Sequence, residues 1–139
     1  LGKGNSNMKR ALFEMEKSVM VDLALSRNCV IVGRCSDYVL REYGISDENM
    51  LNVFIYAPID KRLHNCKEEL NLDDPGEAYN YLTRVDKARE DFYRHYTKQK
   101  FFSNKYRHLL IDSSMADFDK VADIITDTAE IKLGIKQAG

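Results

Sequence analysis

With 139 residues, 44% of them hydrophobic and 31% charged, the chain can build one domain around one buried core, which excludes a disordered tail and a fibrous repeat. Lysine and arginine number 21 against 22 acids, a near balance that excludes a general electrostatic pull toward nucleic acid or anionic lipid. Three cysteines, Cys29, Cys35 and Cys66, show no paired spacing, so neither a disulfide framework nor a thiolate metal cage is expected and a reducing cytoplasm fits.

The opening Leu1-Gly-Lys-Gly-Asn-Ser-Asn7 is polar, carries no signal-peptide pattern and does not begin with methionine, so a segment upstream of it is expected. From Met8 to Leu25, apolar residues at Met8, Leu12, Met15, Val19 and Leu23 recur every three or four positions, which predicts an amphipathic helix covering a core. Cys29-Val-Ile-Val32 is an unbroken apolar run ending at Gly33-Arg34. Val53-Phe-Ile-Tyr-Ala57, stopped by Pro58, and Leu109-Leu-Ile111, stopped by Asp112, have the same form. Such runs suit strands buried on both faces of a parallel sheet. Between the second and third run, Asp60–Leu70 predicts a short helix starting at a capping aspartate. Asp73-Asp-Pro-Gly76 predicts a turn, and Glu77–Gln99 one long helix. The segment Asp117–Leu133 predicts a closing helix with Phe118, Val121, Ala122, Ile125 and Ala129 on one face and Gly134 just past its end. Together these elements predict a single α/β domain over residues 1–139, a parallel sheet with flanking helices, and a helical insertion over residues 60–100. No apolar run approaches the roughly 20 residues of a membrane-spanning helix.

Charge is unevenly placed. Residues 81–107 hold eight basic side chains against three acids, whereas residues 66–80 hold one lysine against five acids. A basic arm on a neutral protein suits a small anionic ligand better than a polyanion. Gly33-Arg34 follows a predicted parallel strand at its carboxyl end, where open α/β sheets bind ligands. The guanidinium offers a planar fork that can grip a phosphate, and the glycine lets a ligand approach the backbone. The alternative is a surface arginine after a turn. On the long helix, Leu82, Val85, Phe92 and Tyr96 form an apolar stripe whose missing position is Arg89. Asp86, a bound phosphate, or solvent reached along the helix could each satisfy that arginine. Arg62 lies early in the helix after the second run, where it could face the same ligand edge or simply solvent. Tyrosines and phenylalanines interleave with the basic residues of the arm, a texture that serves packing or base stacking. His64 and Cys66 lack a second pair of ligands at metal spacing.

Asn28-Cys-Val-Ile-Val-Gly-Arg-Cys-Ser-Asp-Tyr-Val-Leu40, Val53-Phe-Ile-Tyr-Ala-Pro58, Val85-Asp-Lys-Ala-Arg-Glu-Asp-Phe-Tyr-Arg-His-Tyr-Thr97 and Tyr106-Arg-His-Leu-Leu-Ile-Asp-Ser-Ser114 together resemble the cytidylate kinase-like family of P-loop proteins, over about residues 8–133. The resemblance implies a nucleoside-monophosphate-kinase fold with a helical lid at residues 60–100, and ATP-dependent phosphoryl transfer to a pyrimidine nucleoside monophosphate with Mg²⁺. A non-catalytic nucleotide-binding or oligomerisation module is the alternative. The family resemblance implies Arg34, Gly33 and Arg84 as substrate contacts and Arg62 and Arg89 as catalytic cations, gathered on one anionic guest. Fixed cations there would neutralise charge spread over the transferring phosphoryl group. The expected partners are small-molecule nucleotides, with no nucleic acid and no membrane, and homo-oligomerisation is left open. Val32 and Cys35 stand where cytidylate kinases place acids around the strand-end arginine, and Phe101 or Phe102 replaces a tryptophan. No Gly-x-x-x-x-Gly-Lys-Ser/Thr loop occurs in the 139 residues. The resemblance therefore implies that a first strand, phosphate loop and helix either precede Met8 outside these residues or have been lost.

Overall fold

The computed structural model describes residues 3–134, which divide into two compact units between Asp47 and Glu48. In the first, helix α1 (Lys3–Ser26) packs against the short helix α2 (Ser36–Glu42). Phe13, Met20, Val21, Cys35, Val39 and Leu40 are buried there.

Two sequence expectations change in this unit. The predicted stripe on α1 is not the buried one, since Met8 and Met15 remain 71% and 67% exposed and Leu12 and Val19 are exposed with them. Phe13, Met20 and Val21, seven and eight positions apart, form a competing stripe, and it is this stripe that is buried. Nor is Cys29-Val-Ile-Val32 a strand. Val30 and Val32 are 94% and 88% exposed, and no described strand pairs with the run. An extended segment becomes a strand only when a neighbour takes up its amide and carbonyl groups.

The second unit is a parallel pair of strands joined through helices. Strands β1 (Val53–Tyr56) and β2 (Leu109–Asp112) run in register from Val53 opposite Leu109 to Tyr56 opposite Asp112. Parallel neighbours cannot be joined by a hairpin. Here the crossover is a helical pair, α3 (Ile59–Leu70) and α4 (Pro75–Thr97), and α5 (Phe118–Leu133) follows β2. Among the described residues the sheet has two strands rather than the three expected. So small a sheet cannot be covered on both faces, which is why Ile55, Tyr56 and Leu110 stay half-exposed while Ile111 is buried.

Local chemistry explains the helix ends. Asp74 caps α4 by accepting from the Glu77 amide at 2.8 Å, and Pro75 fills the first helical position, so the predicted turn at 73–76 is the start of the helix. The cap of α3 is Pro58, whereas the expected capping Asp60 lies inside the first turn. Asp117 caps α5 through the Lys120 amide, and Gly134, with φ of 64°, closes it. Val121 is the buried residue of α5, while Phe118, expected on the same face, is exposed. Cys66, Ala78 and Leu82 form a core between α3 and α4, extended by Leu63, Leu72 and Tyr81. No helix among the described residues is long and apolar enough to cross a membrane.

Candidate functional site

Gly33, Arg34 and Cys35 form a left-handed turn in the first unit, with φ of 73°, 56° and 58°. The Ser36 amide donates to the Gly33 carbonyl at 3.1 Å and closes it. Two residues with side chains in this region cost about 1–2 kcal/mol each, and Gly33 is spared that cost. A Cβ on Gly33 would meet nothing within 4 Å, so the backbone angle alone calls for glycine. The turn sends consecutive side chains opposite ways. Arg34 points outward, and its Nε lies 3.5 Å from Glu16 Oε1 on α1. Cys35 turns inward, where burial, and secondarily the charge of Asp37, pushes its thiol up to about 12.

In the second unit Arg62, on the first turns of α3, grips Asp86 of α4 with both arms of its fork. Nη1 donates to Oδ2 at 2.8 Å and Nη2 to Oδ1 at 2.6 Å. Both side chains are about one-third exposed or less, and the Asp86 hydrogen bond raises the guanidinium pKa despite the opposing effect of burial. The pair fastens α3 to α4 and fixes the direction of Arg62.

Arg89 stands three residues beyond Asp86, on the next turn of the same face. Spacing places it in line with Leu82 and Tyr93, whereas of the expected stripe Leu82, Val85, Phe92 and Tyr96 only Leu82 is fully buried. Helix α4 is buried near one end through Ala78 and Leu82 and near the other through Tyr93 and Thr97, with an open stretch between. Arg89 falls in that stretch, so it is exposed and forms no ion pair with any described residue. Asp86, one of its candidate partners, is committed to Arg62 instead. Arg84 is also exposed, its guanidinium 5.8 Å from the Tyr81 ring. It lies roughly 140° around the helix from Arg89, so the two do not share a face.

The strand ends add polar groups. Ser113 donates through its amide and hydroxyl to the Tyr56 carbonyl at 2.8 and 3.2 Å. Asp112 accepts from the Ser114 hydroxyl and amide, which hold its carboxyl below the usual range. Sequence reasoning missed Asp86 as the partner of Arg62 and Glu16 as that of Arg34. The first pairing joins two helices and the second joins a turn to a helix, and no local spacing announces either.

A mixed helix and strand protein with a small parallel sheet and arginines on the helices after its first strand is the class these features define. The chain belongs to the cytidylate kinase-like family, which it matches over residues 2–115. It shares its fold with an uncharacterized protein from Eubacterium ventriosum ATCC 27560 known from a crystal structure. The TM-score is 0.77, with 22% identity, over 87% of this chain and 73% of that one. No curated protein matches the sequence.

Proposed function

We propose that the protein binds a pyrimidine nucleoside monophosphate and takes part in phosphoryl transfer to it from ATP. One observation carries the reading. Arg89 is an exposed cation without an ion-pair partner among the described residues, in line with a buried stripe and one turn from Asp86, the carboxylate that fixes the direction of Arg62. A guanidinium held ready but unneutralised suits a phosphate that arrives and leaves. In this reading Arg89 meets the transferring phosphoryl group and Arg62 supports it. Within the first unit, Arg34, displayed by its strained turn, and Gly33, which admits a ligand to the backbone, are separate candidates for a substrate contact. Arg84, on another face of α4 than Arg89, is a separate candidate for a substrate contact. In this reading magnesium enters as part of the MgATP substrate.

The test is ADP formation from MgATP in the presence of CMP, dCMP, UMP or AMP, with calorimetric binding of each monophosphate alongside. Faster ADP formation with CMP or dCMP is the expected result, and the absence of both turnover and monophosphate binding would overturn the proposal. Binding without turnover would select a second reading, a nucleotide-binding module that does not transfer phosphate. The commitment of Arg62 to Asp86 favours that alternative, because a cation already neutralised contributes less to a transition state.

A further inference from the structure

The carboxyl end of α4 carries a feature that the acceptor reading does not use. A cleft of about 340 Å³ opens there, lined among others by Glu90, Arg94, Lys98, Gln99, Lys100 and Phe102. This volume falls at the lower end of the range for small-molecule sites. Three of the lining side chains are cations and one is a carboxylate. Arg94 is spoken for, bound to Glu90 at 2.7 Å and close to Asp91 at 3.7 Å. Lys98 and Lys100 form no ion pair with any described residue.

Phe102 supplies the complementary element. Its ring is 65% exposed, yet it is held edge-on against Phe101 at 5.1 Å and Phe54 at 5.8 Å. Around it the loop is fastened. Arg107 donates to the Phe101 carbonyl at 3.3 Å while stacking over Phe54 and Tyr93, and the Gln99 amide donates to the Thr97 hydroxyl at 3.1 Å. An exposed aromatic face on a braced loop is a stacking platform.

Lys98 is the third element. It closes α4 in the left-handed conformation, with φ of 59°, at the position where helices usually place glycine. A lysine there accepts backbone strain that glycine would avoid. A charge complementing the helix dipole would account for Lys98 alone, but not for Lys100 and Phe102, which lie beyond the helix.

We infer that this cleft binds a free nucleotide, its base on Phe102 and its phosphate between Lys98 and Lys100. The single exposed ring and the acids at Glu90 and Asp91 favour one nucleotide over a strand of nucleic acid. The inference does not rest on the acceptor reading.

The experiment uses the full chain carrying Arg89→Ala, so that binding near Arg89 is weakened and the two proposals fail separately. ADP, adenosine and inorganic phosphate are titrated calorimetrically, with an oligothymidylate series as control. ADP is expected to bind more tightly than adenosine or phosphate. Lys98→Gly and Phe102→Leu are each expected to weaken it about tenfold or more. Lys98→Gly should leave the thermal midpoint unchanged or higher, since glycine relieves the strained cap. ADP affinity unaltered in both variants, phosphate binding as tightly as ADP, or affinity rising with oligonucleotide length would overturn the inference.

Discussion

Arg34 and Arg62 each follow an apolar run closely, but the two units aim them by different means. At residues 33–35 the covalent backbone aims the side chain, through a left-handed turn that spends conformational energy to expose Arg34 and bury Cys35. At Arg62 the backbone is ordinary helix, and a carboxylate 24 residues away sets the direction. The first device survives loss of its ion-pair partner and is sensitive to the local residue. The second tolerates local change and fails when Asp86 is lost. Arg89 then inherits its value from the second device, because it occupies the turn next to a neutralised pair and stays available.

Alkali should separate the two devices most widely. The folded Cys35 thiol keeps its proton until about pH 12, whereas its ordinary value is 9.0. The unfolded chain therefore loses that proton first, so the stability contribution is whole below pH 9 and declines from about pH 9 to about pH 12. Comparing the wild type with Cys35→Ala by urea unfolding across that window should show a steeper decline in the wild type. Parallel curves would place the thiol in an ordinary environment. In the same unit, Cys29 should react with a thiol reagent at pH 8 in the folded protein while Cys35 and Cys66 stay protected, because only Cys29 is exposed.

Next in size is Asp86→Ala, which leaves a largely covered guanidinium without its carboxylate. A loss of about 2 kcal/mol is expected, between the values for exposed and buried pairs, with the urea midpoint as the readout. A change below about 0.5 kcal/mol would mean the pair does not fasten α3 to α4. Smaller still, and of opposite sign, is Arg34→Gly. Relief of the left-handed strain, partly offset by the freer unfolded chain, should stabilise the protein by up to about 1 kcal/mol. A loss of stability would show that Glu16 contributes more than the turn costs. The smallest change belongs to Arg89→Ala, expected within about 0.5 kcal/mol because the side chain is exposed and forms no ion pair with a described residue.

Local signals carried much of this fold. The helices at 59–70, 75–97 and 118–133 and the strands at 53–56 and 109–112 were legible because each has a cap, a breaker or an apolar run contained within its own segment. Where two readings competed within one segment, spacing alone could not choose. On α1 the stripes through Met8 and through Phe13 have similar periodicity, and burial selected the latter. The run at 29–32 has strand composition, but composition supplies no neighbour to complete a ladder. At the candidate site, Gly33 signalled its turn and the Arg89 position was readable as part of a stripe. That its turn of α4 lies uncovered, and that Asp86 belongs to Arg62, are facts of tertiary packing with no imprint in local sequence.

Calorimetric titration of CMP into the wild type and Arg89→Ala tests the central claim most directly, with thermal unfolding of both as control. If Arg89 is the cation reserved for phosphate, its removal weakens CMP binding about tenfold or more while the unfolding midpoint barely moves. Equal CMP affinity in the two proteins would contradict that assignment and leave Arg89 a solvated surface residue.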